Sequence, residues 1–266
     1  MIPKIIHYCW FGNNPLPELA IKCIESWKKY CPDYTIRQWD ESNFDITSCA
    51  YVREAFEEQQ WAFVSDYARL KVIYENGGIY LDTDVEIIRP IDDLLENSCF
   101  CGVEPTGYVA TGLGFGAEKG NQIVGKMLDE YRNIHFRAGN GVYDRTGCPI
   151  RNTKPLTQIG FCYNGQIWEK MNVIVYPADF FCPMNRHTGE ISITKNTYSI
   201  HHYSALWISD DEKNRQNKID EIKDSNSKII GKYKIHRYLY QELKKAGKTN
   251  HFLLYLWSKI KIHWHL

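Results

Sequence analysis

Two aspartates one residue apart, Asp82 and Asp84, stand where the apolar run Ile79-Tyr80-Leu81 ends. In extended chain the side chains of residues i and i+2 project to one face, so both carboxylates can address a single ion. Carboxylates that close repel unless a cation or protons compensate, and hard oxygen ligands suit Mg²⁺ or Mn²⁺. Upstream, Asp66 and Arg69 are three residues apart in an apolar stretch that reads as helix, which puts them on one face. Burying such a pair is costly unless it meets further partners, and sugar hydroxyls, a phosphate or the nearby D-x-D edge would supply them. Trp10 closes the first apolar run beside Phe11-Gly12, where its ring can stack on a base, a contact worth ~1–3 kcal/mol. Far downstream, His201 and His202 sit in an extended run; adjacent residues there face opposite ways, so one could complete a metal site while the other packs.

Positioning these groups requires a framework of strands and helices. Residues 4–9 read as a buried strand ended by Gly12-Asn13-Asn14, and a helix follows with Asn14 as N-cap and Pro15 at its first position. Leu16, Leu19, Ala20, Cys23, Ile24 and Trp27 give that helix one apolar face, and Pro32 stops it. Residues 34–39 form a second strand, the strand–helix–strand opening of a mostly parallel sheet. Residues 61–76 are apolar on most sides and predict a buried helix, with Gly77-Gly78 as its left-handed cap. Strands are expected at 79–81, 85–88, near 98–103, 112–117, 173–176 and 190–200, with a helix near 121–136. Residues 137–165, rich in Gly, Asn, Thr and Pro, read as surface loops.

Charge is balanced, with 32 basic and 32 acidic side chains, which argues against a partner held by a global basic field; no nucleic acid is expected. No stretch approaches the roughly 20 apolar residues of a membrane span, and no secretory leader is visible, so a cytoplasmic protein is expected. The nine cysteines are scattered and lack metal-ligand spacing, as reduced, mostly buried thiols would. Residues 226–266 differ in kind: nine Lys or Arg face one Glu, with tyrosines, tryptophans and a phenylalanine interleaved. Basic helices with aromatic anchors lie on anionic membrane surfaces, and a solvated helical face packed on the body is the other reading.

Three blocks then carry a resemblance: Ile6-His7-Tyr8-Cys9-Trp10-Phe11-Gly12, Ser65-Asp66-Tyr67-Ala68-Arg69, and Gly77-Gly78-Ile79-Tyr80-Leu81-Asp82-Thr83-Asp84. Together they resemble the D-x-D glycosyltransferases of family 32, and His201-His202 with Ser204 and Trp207 resembles that family's closing segment. The similarity spans roughly residues 2–208. It implies an α/β, GT-A-type fold, with a Rossmann-like, mostly parallel central sheet flanked by helices. A catalytic domain over 1–208 and a basic, aromatic helical extension over 209–266 follow. It also implies retaining, metal-dependent transfer of a hexose or N-acetylhexosamine from a nucleotide sugar, a UDP-sugar first. The acceptor would be an oligosaccharide or lipid-linked saccharide in capsule or cell-surface polysaccharide synthesis, at the inner membrane face.

Carried onto this sequence, the resemblance has Trp10 stack on the base, Asp66 and Arg69 hold the donor sugar, and Arg69 approach the diphosphate. Tyr80 would line the donor pocket with Trp207, Asp82 would serve ribose and metal, and Asp84 would ligate the ion. His202, or failing that His201, would be a further ligand, and a nitrogen among carboxylates favours Mn²⁺ over Mg²⁺. Two alternatives stand beside this. One is a haloacid-dehalogenase-like phosphatase with Asp82 as nucleophile, though its motif would belong on the first strand. The other is a sugar-nucleotide-binding module without catalysis.

Overall fold

A computed structural model of the chain describes residues 1–137, 143–186 and 188–204, and beyond them only positions 218, 222, 234, 235, 237, 238, 240 and 241. Trp207 and nearly all of the basic, aromatic run at 226–266 lie outside the described residues. Met1–Phe136 with Arg145–Ser204 forms one compact unit, and Arg137–Asp144 with Ala205–Leu266 is assigned to a second. Every site described below belongs to the first.

The chain opens with β1 (Ile5–Cys9), α1 (Glu18–Tyr30) and β2 (Thr35–Trp39). Then come α2 (Ala50–Glu57), α3 (Trp61–Asn76), β3 (Gly78–Tyr80) and β4 (Val85–Ile87). After these follow β5 (Cys99–Gly102), β6 (Phe115–Ala117), α4 (Gln122–Asp129), α5 (Cys148–Gln158), β7 (Trp168–Lys170), β8 (Val173–Tyr176) and β9 (Ser199–His201). The central sheet has the order β2-β1-β3-β6-β5-β8-β7. Strands β2, β1, β3, β5 and β8 run one way, and β6 and β7 run against them. This is the expected mostly parallel sheet flanked by helices. A second ladder pairs β4 with β9 antiparallel, Val85 opposite His201.

Several boundaries differ from the sequence expectation for identifiable reasons. Helix α1 starts at Glu18, after Pro17, and not at Pro15. The residue before a proline is pushed out of the helical region, so Leu16 cannot be helical and the second proline sets the start. Residues 121–136 yield only the short α4, capped by Asn121, whose Oδ1 accepts from the amides of Ile123 and Val124 at 2.9 and 3.4 Å. Of 190–200, only the end joins a strand; Ile191 makes an isolated bridge to Met184. The stretch expected to be loop contains α5, with Pro149 in its first turn. Its inward face is Cys148, Asn152, Pro155 and Leu156, too polar to show as an apolar stripe.

Gly77 and Gly78 allow α3 to turn directly into β3. Both have positive φ, 71° and 107°. A Cβ on Gly78 would lie 2.7 Å from the Ile5 carbonyl oxygen and 2.9 Å from His7 Nε2, so only glycine lets the strands pair here. All nine cysteines are free, and seven of them are buried. Among the described residues no helix is long and apolar enough to cross a membrane.

His7 ties three of these elements together from a fully buried position. Trp39 Nε1 donates to its Nδ1 at 2.9 Å, so Nε2 carries the proton and donates to the Gly77 carbonyl at 2.9 Å. Burial, reinforced by the Arg37 charge, lowers the His7 pKa to about 4 against the Gly77 bond. The unfolded chain takes up that proton near 6.5, so the unfolded state binds more protons between the two values. Stability is therefore retained above pH 6.5 and lost as pH falls toward 4, by roughly 3 kcal/mol for the full shift. Urea unfolding across this window should show that slope, and His7→Gln should flatten it while lowering stability at pH 7.

Candidate functional site

The D-x-D segment is a corner between the two sheets. β1 and β3 are parallel with His7 opposite Tyr80, so Trp10 and Asp82 leave the sheet at the same carboxyl edge. The chain then turns: the Val85 amide donates to the Asp82 carbonyl at 3.0 Å, and β4 departs to pair with β9. Asp82 and Asp84 therefore converge through a turn, and not through strand alternation as expected. The turn brings β9 beside them and adds a histidine.

Asp84 is the most heavily engaged group. Its Oδ2 accepts from the Ser204 amide at 2.9 Å and the Ser204 hydroxyl at 2.8 Å. Its Oδ1 lies 3.2 Å from His201 Nε2. Burial opposes ionisation of Asp84, but the His201 charge and these hydrogen bonds outweigh it and hold the carboxyl well below the usual carboxylate range. On His201, burial opposes protonation and the Asp84 charge wins, raising its pKa. His202 points elsewhere: its Nε2 meets Glu86 Oε2 at 2.9 Å. Of the two histidines, the structure puts His201 at the D-x-D carboxylates, correcting the expectation that gave His202 first place. Alternation along the β9 run separates the two rings, and pairing with β4 selects which one faces the corner.

Arg69, only 5% exposed, lies behind the corner on α3. Its Nη2 is 3.2 Å from Asp66 Oδ1 and 3.1 Å from Asp82 Oδ1, and its Nε donates to the Ser65 carbonyl. Asp82 Oδ1 also accepts from the Tyr80 hydroxyl at 3.0 Å, and the guanidinium lies 5.0 Å from the Tyr80 ring centre. Burial raises the Asp66 pKa against the pull of Arg69. Breaking such a buried pair leaves an uncompensated charge and typically costs ~3–5 kcal/mol. Trp10 is half-buried against the core, and its Nε1 donates to the Asn14 carbonyl at 2.6 Å.

Three contributors were not read from the sequence. Cys148, at the start of α5, bonds Asp66 and accepts from Arg69 Nη1 at 3.9 Å. Gly112 presses against the carboxylate itself: a Cβ there would lie 2.1 Å from Asp82 Oδ2 and 2.8 Å from Arg69 Nη1, while its carbonyl accepts from the Asp82 amide at 3.1 Å. Asn152, fully buried, donates to Thr111 Oγ1 at 2.9 Å and pins α5 to the Gly112 loop. The Thr111-Gly112-Leu113-Gly114 run was the available signal for Gly112, whereas Cys148 and Asn152 sit in a stretch without periodicity.

One ligand atom from each of Asp82, Asp84 and His201 lies within 4.8 Å of the others. Three carboxylates share this edge with one guanidinium, so the local charge favours a cation even where His201 is protonated. Two carboxylate oxygens and an imidazole nitrogen form a donor set that fits Mn²⁺ or Mg²⁺.

Known proteins resemble parts of this chain. Residues 17–101 match the family described as glycosyltransferase sugar-binding region containing DXD motif. Over 144 residues the chain is 32% identical to inositol phosphoceramide mannosyltransferase 3 of Schizosaccharomyces pombe, covering 51% of this chain and 40% of that protein. Over 60 residues it is 42% identical to human alpha-1,4-N-acetylglucosaminyltransferase, 22% of this chain and 16% of that one. The chain thus spans less than half the length of these relatives. Among solved structures, a PaToxG glycosyltransferase aligns with a TM-score of 0.49 and 23% identity, over 60% of this chain and 69% of the other.

The tightness around Asp82 yields a prediction. Gly112→Ala should lower stability by ~1–3 kcal/mol through overpacking and displace Asp82, with urea unfolding and Mn²⁺ affinity falling together. With Asp82 and Asp84 within it, the segment 17–101 is similar to the glycosyltransferase sugar-binding regions that contain a DXD motif.

Proposed function

We propose that this chain is a retaining, metal-dependent glycosyltransferase of the GT-A type, moving a hexose or N-acetylhexosamine from a nucleotide sugar to a saccharide acceptor. The observation that carries this reading is the convergence of Asp82, Asp84 and His201 at the edge where Trp10 also emerges. A UDP-sugar is the first donor to test. GDP-mannose is the second, because a relative is named a mannosyltransferase.

Asp82, Asp84 and His201 would hold Mn²⁺ or Mg²⁺, which when bound supplies Lewis-acid neutralisation of a departing diphosphate. The chain's own groups do the rest. Ser204 orients Asp84 through two hydrogen bonds. Tyr80 and Arg69 fix Asp82 Oδ1, and Arg69 adds a buried positive charge on the diphosphate side. Asp66 keeps that guanidinium in place and offers an acceptor to sugar hydroxyls, and Trp10 stacks on the base. No side chain at this edge is assigned as a covalent nucleophile. Transfer is therefore front-face: the anomeric carbon–phosphate oxygen bond breaks, the bond to the acceptor oxygen forms on the same face, and the acceptor's proton passes to the departing phosphate oxygen.

The phosphatase alternative would have its nucleophilic aspartate on the first strand, whereas Asp82 follows β3, and its Oδ1 is engaged by Arg69 and Tyr80. We place the enzyme in the cytoplasm, peripheral on the inner membrane face through the basic, aromatic residues 226–266, serving capsule or cell-surface polysaccharide synthesis on a lipid-linked acceptor.

Two experiments follow. With Mn²⁺ and a panel of nucleotide sugars, the protein should release nucleotide. Asp84→Ala should slow release on the order of 100-fold or more with an unchanged circular dichroism spectrum, and NMR of the product should show an α-linkage from an α-donor. A fully active Asp84→Ala, or a β-linked product, contradicts the assignment. Separately, the full chain should co-sediment with anionic but not neutral liposomes, and truncation after residue 225 should abolish this.

A further inference from the structure

Between His201 and Ser204 the backbone adopts a conformation that bulky L-residues rarely take: Tyr203 has φ of 50°. Among the described residues it is the one aromatic side chain with positive φ, a conformation that persists only where the surroundings hold it. Two contacts do so. The Tyr203 hydroxyl lies 2.7 Å from the buried Cys182 sulfur, and its ring stands edge-on to His201, centroids 4.3 Å apart at 63°.

The consequence is local and specific. The His202 amide donates to the Asp84 carbonyl at 3.0 Å; one residue beyond the turn, the Ser204 amide and hydroxyl both reach Asp84 Oδ2. Were Tyr203 extended, as its strand neighbours are, Ser204 would continue away from Asp84. The His201 ring has a second need. Metal-binding histidines are usually oriented by a hydrogen bond at the other ring nitrogen, yet His201 Nδ1 is buried without a partner among the described residues. The ring of Tyr203, edge-on against the imidazole, is a packing contact that can restrict its orientation in place of that bond.

We propose that Tyr203 is a positioning residue of the Asp84 site: its left-handed turn, pinned on Cys182 and packed on His201, aims His201 and Ser204 at one carboxylate. This rests on the reading of Asp82, Asp84 and His201 as a divalent-cation site. Tyr203 is not one of the three candidate ligands; it acts through its two neighbours.

The test is Mn²⁺ binding to the full chain without substrate, followed by electron paramagnetic resonance and calorimetry. Tyr203→Ala should weaken binding on the order of tenfold or more, as loss of orienting partners does. Tyr203→Phe, which keeps the ring and loses only the Cys182 bond, should recover most of that loss. Tyr203→Ala binding as tightly as wild type, with circular dichroism unchanged, overturns the proposal. Asp84→Ala is the separate control: wild type binding no better than Asp84→Ala removes the cation site and the proposal with it. Should Tyr203→Ala fail to fold, Tyr203→Asn and Tyr203→Thr decide. Both lack the ring, but asparagine tolerates positive φ and a β-branched residue does not. Threonine should bind several-fold more weakly, and equal affinity overturns the role of the turn.

Discussion

Three carboxylates, Asp66, Asp82 and Asp84, meet at the carboxyl edge of β3 with the buried guanidinium of Arg69 among them. That excess of negative charge in a partly desolvated corner is the constraint on which the rest of the site depends. Arg69 balances Asp66 and one oxygen of Asp82; Ser204 and His201 compensate Asp84. What remains is a local deficit of positive charge at the one place where a D-x-D pair and an imidazole approach each other. A divalent cation would offset that deficit, with Asp82, Asp84 and His201 as the residues to hold it, whereas an apolar ligand would not.

The fold serves this corner in an economical way. β3 is only three residues long, yet it lies between β1 and β6, and α3 feeds into it through two glycines that no other residue could replace without collision. Short strands allow the chain to leave the central sheet at Asp82 and start a second ladder at Val85. Helix α5 closes the rear, where Cys148 contacts the Asp66–Arg69 pair and Asn152 anchors the loop that crowds Asp82. The Asp66–Arg69 pair therefore joins α3, the D-x-D corner and α5, so a change at any of the three should be felt at the others.

Much of the framework was legible in the sequence because it follows strong local rules. Buried runs such as Ile5–Cys9 and the all-round apolar helix Trp61–Asn76 read directly, and so does the Gly-Gly stop. The D-x-D pair and the Asp66–Arg69 spacing drew attention because charged residues in apolar surroundings need an explanation. What escaped was non-local or polar in character. Helix α5 buries Cys, Asn, Thr and Pro, so no hydrophobic stripe marks it. Gly112 matters only because a loop far along the chain from Asp82 folds against it. The choice between His201 and His202 depends on the pairing of β9 with β4, which alternation alone leaves undetermined. The turn at Tyr203 has no local signature at all, since tyrosine is a residue from which positive φ is not expected.

The most direct measurement is crystallographic: crystals soaked with manganese and uridine diphosphate, with data collected to reveal anomalous scattering. One strong manganese peak is expected, bounded by Asp82, Asp84 and His201, with the diphosphate on its open side and the base near Trp10. A well-ordered nucleotide bound with no manganese between those three residues, or manganese lodged at His202 and Glu86, would contradict it.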